Sequence, residues 1–273
     1  MEKYNKKMFA LSFLPLVVTF IIYYIAYFAA FFMTFITGGS DTAASDGLFV
    51  NEGFFNVIRF LIMLILFGVW YKYRFYDIYK KEEADIITKK KVILTILSLI
   101  VLGILLQLFI SAILKILISH FPDFFKSYNE IIDSFKGSKV SILTVISVII
   151  IAPIAEELVF RGVTFSYLQE AMGPRLAIIF QALLFGIYHL DLVQGIYATL
   201  TGVILGIICY RFKNILPAII LHIAINCSSF LIPASFYGGT KKCTAIILLS
   251  GASLIFFIYY SCLSKAISIR PSK

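Results

Sequence analysis

The residues of this 273-residue chain that could do acid–base chemistry fall into three short segments. The first is Pro153-Ile154-Ala155-Glu156-Glu157-Leu158-Val159-Phe160-Arg161-Gly162. On a helix Glu157 and Arg161 are i,i+4 and can pair. Glu156 lies about 100° further around the axis, so its carboxylate is free to face another helix and serve as a general base. Pro153 removes one backbone hydrogen bond just before this turn and predicts a kink. The second segment runs Phe185-Gly186-Ile187-Tyr188-His189, which puts Phe185 and His189 on one face. In the third, His222-Ile223-Ala224-Ile225-Asn226, His222 and Asn226 project the same way. Each segment also has a plainer reading. The helix could end at Glu156 with both acids among lipid headgroups, His189 could be an interfacial side chain, and His222 with Asn226 could bond neighbouring helices. His120, the remaining histidine, falls in a loop.

The elements that position these residues must be membrane helices. Apolar residues make up 60% of the chain and charged ones 14%, and the mean hydropathy is +0.95. A soluble domain carries about a quarter charged residues, so lipid is the main solvent. The net charge of +9 fits short basic loops at an anionic membrane face. No stretch combines basic residues with the polar surface a nucleic-acid groove needs, so no nucleic-acid partner is expected. The four cysteines show no CxxC or zinc-finger spacing. The uncharged stretch Met8–Ile36 is too long for a signal h-region and reads as a first span.

Further spans are Phe54–Tyr71, interrupted by Arg59, then Val92–Ile118, Ile215–Leu231 and Thr244–Ser264. Val140–Ala155, Leu176–Tyr188 and Gln194–Tyr210 are short of the ~20 residues of a comfortable span. Because ionisable residues bound them, the fourth helix is extended through the acids, from about Ser141 to Leu168, ending before Gly173-Pro174. The fold class expected is an all-α polytopic bundle of about eight transmembrane helices, one membrane domain over 1–273, with the chemistry in 141–231. Residues 37–53 and 119–139 read as outer loops, the latter with room for a short interfacial helix. Sixteen Lys and Arg then fall on one side and five on the other, which argues that both termini are cytoplasmic. Trp70, Tyr71, Tyr73 and Phe75 suit that interface. Arg59 and Lys115 read as snorkelling or pairing across helices. Ala198, Gly202 and Gly206 form a small-residue ridge for close packing. One difficulty is depth: counted from Arg175, His189 lies about 21 Å along its helix, past the midplane.

The three segments, in this order, resemble the CAAX-protease and bacteriocin-processing family of intramembrane proteases, of CAAX prenyl protease type 2 kind. The family pattern is Glu-Glu-x-x-x-Arg, then Phe-x-x-x-His, then His-x-x-x-Asn, and Glu156-Glu157-Arg161, Phe185-His189 and His222-Asn226 fill every position. The resemblance covers about residues 141–231. It implies an eight-helix fold in a cell membrane; the richness in Ile, Lys, Phe and Tyr points to a bacterial plasma membrane. It also implies an endopeptidase whose partners are the bilayer and a peptide or membrane-protein substrate. By the family roles, Glu156 with His189 activates water, and His222 with Asn226 donates to the oxyanion. Glu157, Arg161 and Phe185 support them. The older family label is metalloprotease. Two histidines and a glutamate could bind zinc, so metal held by Glu156, His189 and His222 stands as the competitor, while metal-free catalysis is favoured for want of HExxH spacing. A non-catalytic immunity or scaffold protein and an ion-coupled transporter are the remaining alternatives.

Overall fold

The computed structural model describes residues 4–36, 43–76, 89–126, 128–130 and 141–263, and among these every regular element is helical. Several segments read from the sequence lie outside the described residues: 37–42, most of the basic 72–91 stretch, 131–140 and the tail beyond 263. We label the helices α1 (Lys6–Leu11), α2 (Leu14–Ile36), α3 (Ala43–Tyr71) and α4 (Lys89–His120). After them come α5 (Ile142–Met172), α6 (Pro174–Tyr188) and α7 (Leu192–Phe212). The last two are α8 (Leu216–Leu231) and α9 (Thr240–Leu263). Five stretches are long and apolar enough to cross a bilayer: Lys6–Met33, Phe54–Phe75, Val92–His120, Ile142–Met172 and Leu192–Phe212. α6 and α8 are shorter apolar helices. Large apolar side chains stand exposed along these rods, among them Phe28, Phe35, Ile65, Leu200 and Leu231. Water would not tolerate such a surface, and lipid solvates it. The protein is a multi-pass, all-helical membrane protein.

α3 begins at Ala43, well before the start read from hydropathy at Phe54, so part of the expected 37–53 loop is helix. The polar residues Ser45, Asp46, Asn51 and Glu52 hid that start.

The helices form two compact units, residues 1–87 with 126–223, and 88–125 with 224–273. In the first, α2 and α3 make a hairpin, α3 packs along α5, α6 packs on α5 and α7, and α1 rests on the end of α5. Asn5 N–H bonds Ala171 O at 3.0 Å. The core is aromatic and aliphatic: Phe60, Met63, Phe67, Phe75, Val159, Phe160, Val163, Leu184 and Phe185. In the second unit α4 packs against α9. Ala112, Tyr237 and Cys243 form its small core, and a side chain at Gly103 would meet Ala224 Cβ at 2.7 Å.

α5 carries the acids and is continuous, but it is not regular. π-helical turns over Ser147–Ile151 and Leu158–Thr164 flank the α-helical Ala152–Glu157. Pro153 has no N–H to give, and the widened turn before it accommodates the ring. The helix stops at Gly173, whose φ of 79° suits glycine, and Pro174 starts α6 at once. This tight turn bears on the depth difficulty, since Glu156 stands 17 residues before Gly173 and His189 16 after it.

Candidate active site

Glu156 and Glu157 lie near the centre of α5, 7% and 0% exposed. Glu157 Oε1 accepts from Arg161 Nη1 at 2.8 Å, with neither side chain exposed. The same oxygen accepts from His222 Nδ1 at 2.8 Å. An ionised carboxylate can only accept, so Nδ1 of His222 carries a proton and the neutral ring presents its lone pair at Nε2. That Nε2 is 3.7 Å from Glu156 Oε2. One imidazole of α8 therefore faces both adjacent acids of α5. Glu157 does more than pair with Arg161, since it also orients His222. The 3.7 Å gap is too long for a direct hydrogen bond. A water about 2.8 Å from each atom fits at the apex of a triangle on that base.

His189 caps the C-terminus of α6, and its Nδ1 donates to Phe185 O at 2.9 Å. Its Nε2 is thereby left as an acceptor as well. His189 is close enough to Glu156 and His222 to feel their charge. The turn after it is tight: Leu190 has φ 55°, and Asp191 starts α7 by accepting from Gln194 N at 2.7 Å. Phe185, 2% exposed, is the common wall. Its ring meets His189 at 4.8 Å and His222 at 5.7 Å, both edge-on. The Arg161 guanidinium sits 4.5 Å from its centroid, a cation–π contact in a desolvated place.

Gly202 on α7 explains how Arg161 is held. Its carbonyl accepts from Arg161 Nη2 at 3.3 Å and from Gln181 Nε2 at 2.9 Å. A Cβ at Gly202 would lie 3.1 Å from Ala182 Cα and 3.2 Å from Phe185 Cδ1. The small-residue ridge lets α6 and α7 close to a distance at which a backbone oxygen serves two side chains.

Of the residues singled out by sequence, Glu156, Glu157, Arg161, Phe185, His189 and His222 gather in the first unit. Asn226 lies one turn beyond His222 on α8, in the second unit. Spacing missed two groups. Gln181 shares the Gly202 carbonyl with Arg161, and the Tyr188 ring packs between Phe160 at 5.5 Å and His189 at 5.3 Å. Tyr188 looks in the sequence like an interfacial aromatic, and its only signal is its place beside His189. Arg59 does not take an acid partner in the cluster. Its guanidinium packs 5.0 Å from the Tyr23 centroid and 4.3 Å from that of Phe60.

A zinc ion needs three protein ligands, each about 2.0–2.2 Å away. Glu156 and His222 could supply two, and the Nδ1-anchored imidazoles of His189 and His222 resemble metal-bound histidines. Among the described residues, however, no three His, Cys, Asp or Glu side chains gather closely enough to hold a metal.

Neither the curated proteins nor the solved structures give a match to this chain. Residues 138–228, which hold every residue of this cluster, match the family described as Rce1-like, type II CAAX prenyl endopeptidase Rce1-like. Over that third of the chain the protein is similar to this CAAX protease family.

Proposed function

We propose that the protein is an intramembrane endopeptidase that hydrolyses peptide bonds in membrane-associated peptides or proteins with a glutamate-activated water. The observation that carries this reading is His222, held by Glu157 at 2.8 Å with Nε2 turned toward Glu156 at 3.7 Å, all within the bundle. Glu156 takes a proton from the water as it attacks the scissile carbonyl, and His189 Nε2 is the second acceptor near that water. When His222 carries both protons, Glu157 holds Nδ1–H and Nε2–H is the donor available to the oxyanion. One such donor in a water-poor site contributes about 2.7–4 kcal/mol to the barrier. Asn226 takes the second donor role on its motif position and helical register with His222. Collapse of the tetrahedral intermediate then passes the proton from Glu156 to the leaving amine.

The family description supports a CAAX-type substrate, a peptide whose cleavage site lies beside a lipid-modified cysteine. The basic-residue asymmetry supports cytoplasmic termini. The test is cleavage of a lipidated and an unlipidated form of one peptide by the purified protein in nanodiscs, with and without a chelator. Cleavage that survives the chelator fits the proposal. Cleavage abolished by the chelator and restored by zinc contradicts the metal-free mechanism, and no cleavage of either peptide contradicts the substrate class.

A further inference from the structure

One buried polar side chain beside the cluster takes no part in the chemistry above. Gln181 of α6 is 0% exposed, inside a membrane bundle where an amide must be hydrogen-bonded to be tolerated. Its Nε2 donates to two carbonyls, Ile178 O of its own helix and Gly202 O of α7, each at 2.9 Å. A reversed amide would aim Oε1 at the same two oxygens, so the orientation is fixed. Oε1 itself has no hydrogen-bond partner among the described residues, and a residue serving packing alone would not carry that unpaired acceptor. α7 is shaped to receive the amide. Gly202 supplies the carbonyl, and one turn further on a Cβ at Gly206 would lie 2.5 Å from Gln181 Nε2. The helices α6 and α7 are thus clipped together at one oxygen.

That oxygen is also where Arg161 ends. Arg161 Nη2 reaches Gly202 O at 3.3 Å, against 2.9 Å for Gln181, so the amide is the tighter hold and the guanidinium follows it. A guanidinium is planar and rigid, so fixing Nη2 fixes Nη1 as well. Nη1 donates to Glu157 Oε1 at 2.8 Å, and the same oxygen accepts from His222 Nδ1 at 2.8 Å. The series Gln181, Gly202, Arg161, Glu157 and His222 joins α6, α7, α5 and α8, every one of these residues in the first unit. We propose that Gln181 is a positioning residue for His222: it clips the Gly202 carbonyl to α6, so that the Arg161 fork holds Glu157 where it aims the His222 ring. This rests on the reading of His222 as the oxyanion donor.

The experiment removes the clip by two routes. Gln181→Met keeps the length and volume of the side chain and loses the donor. Gly206→Ala leaves Gln181 in place and pushes its amide aside, since the nearest neighbour of the added Cβ is the far end of that flexible chain, 2.5 Å away. It also serves where Gln181→Met fails to fold. In nanodisc kinetics kcat should fall about 3- to 10-fold in each variant, the loss of one neutral hydrogen bond, with KM within about twofold of wild type. In solid-state NMR with isotope-labelled histidine, the His222 Nδ1–H signal, assigned by its absence from His222→Gln, should move in both variants. The His189 signal, whose Nδ1 donates to Phe185 O of its own helix, should stay. Joint movement of the two signals would mean that α6 shifts as a body and Gln181 only packs, which overturns the proposal. An unmoved His222 signal overturns it too, as does a wild-type kcat in a folded variant. If the wild-type protein cleaves no peptide, the protease reading is what fails, and the two histidine signals alone decide the role of Gln181.

Discussion

Replacing Glu157 by glutamine separates two jobs that one oxygen performs. Glu157 Oε1 holds Arg161 Nη1 and His222 Nδ1, each at 2.8 Å. Arg161 is 1% exposed, and its other supports are the Gly202 carbonyl and the face of Phe185. Removing the carboxylate charge leaves a buried guanidinium without its counter-ion, which costs about 3–5 kcal/mol. Replacing both partners by apolar residues of similar volume, Glu157→Leu with Arg161→Met, removes the charges together and should be near neutral for stability. Activity should part company with stability. The double variant folds, yet nothing then accepts from Nδ1, so the tautomer and aim of His222 are lost. Cleavage should stay about 10²-fold or more below wild type, the loss of one oxyanion donor. Thermal unfolding can be followed with a thiol-reactive dye, since Cys209 and Cys243 are buried free thiols, beside peptide cleavage at saturating substrate. The reasoning is refuted if the double variant is as unstable as Glu157→Gln. It is refuted equally if the double variant regains wild-type cleavage.

Two further outcomes are expected. Gly202→Val places methyl groups where Ala182 Cα and Phe185 already stand within 3.2 Å; it should destabilise by about 1–3 kcal/mol through overpacking, read in the same melts, with Gly202→Ala milder. Tyr128 packs against Tyr197 and Asp191, and burial pushes its phenol above the ordinary value of 10.0, although its bond to Tyr197 opposes the shift. A raised folded value means that the contact's stability is fully present below pH 10 and is lost as pH rises beyond it. A wild-type melt should therefore lose stability on going above pH 10 by more than the Tyr128→Phe melt does.

Hydropathy made the long rods legible because lipid demands about 20 apolar residues in a row. The extension of the fourth helix through Glu156 and Glu157 was legible because a span ending at an acid is too short to cross. The π turns beside Pro153 were not, since they answer a packing and hydrogen-bond demand that periodicity at 3.6 residues does not register. The Glu157–Arg161 pair follows from i,i+4 spacing. The bond from Glu157 to His222 spans 65 residues and depends on how α8 meets α5, which no local pattern encodes. The same is true of Gly202, which reads as a packing residue while its carbonyl serves Arg161 and Gln181. The depth of His189 was not legible from α6 alone, because it depends on the turn at Gly173 that α6 shares with α5.

Glu156→Gln tests the central claim most directly, because it keeps the shape of the side chain and removes only its capacity to take a proton. Wild type and variant would be compared in the same nanodiscs, enzyme in excess over a single peptide, with melting temperatures measured alongside. The account predicts equal melting and a first-turnover rate about 10²–10⁴-fold lower in the variant. Cleavage at the wild-type rate by a folded Glu156→Gln protein would contradict it.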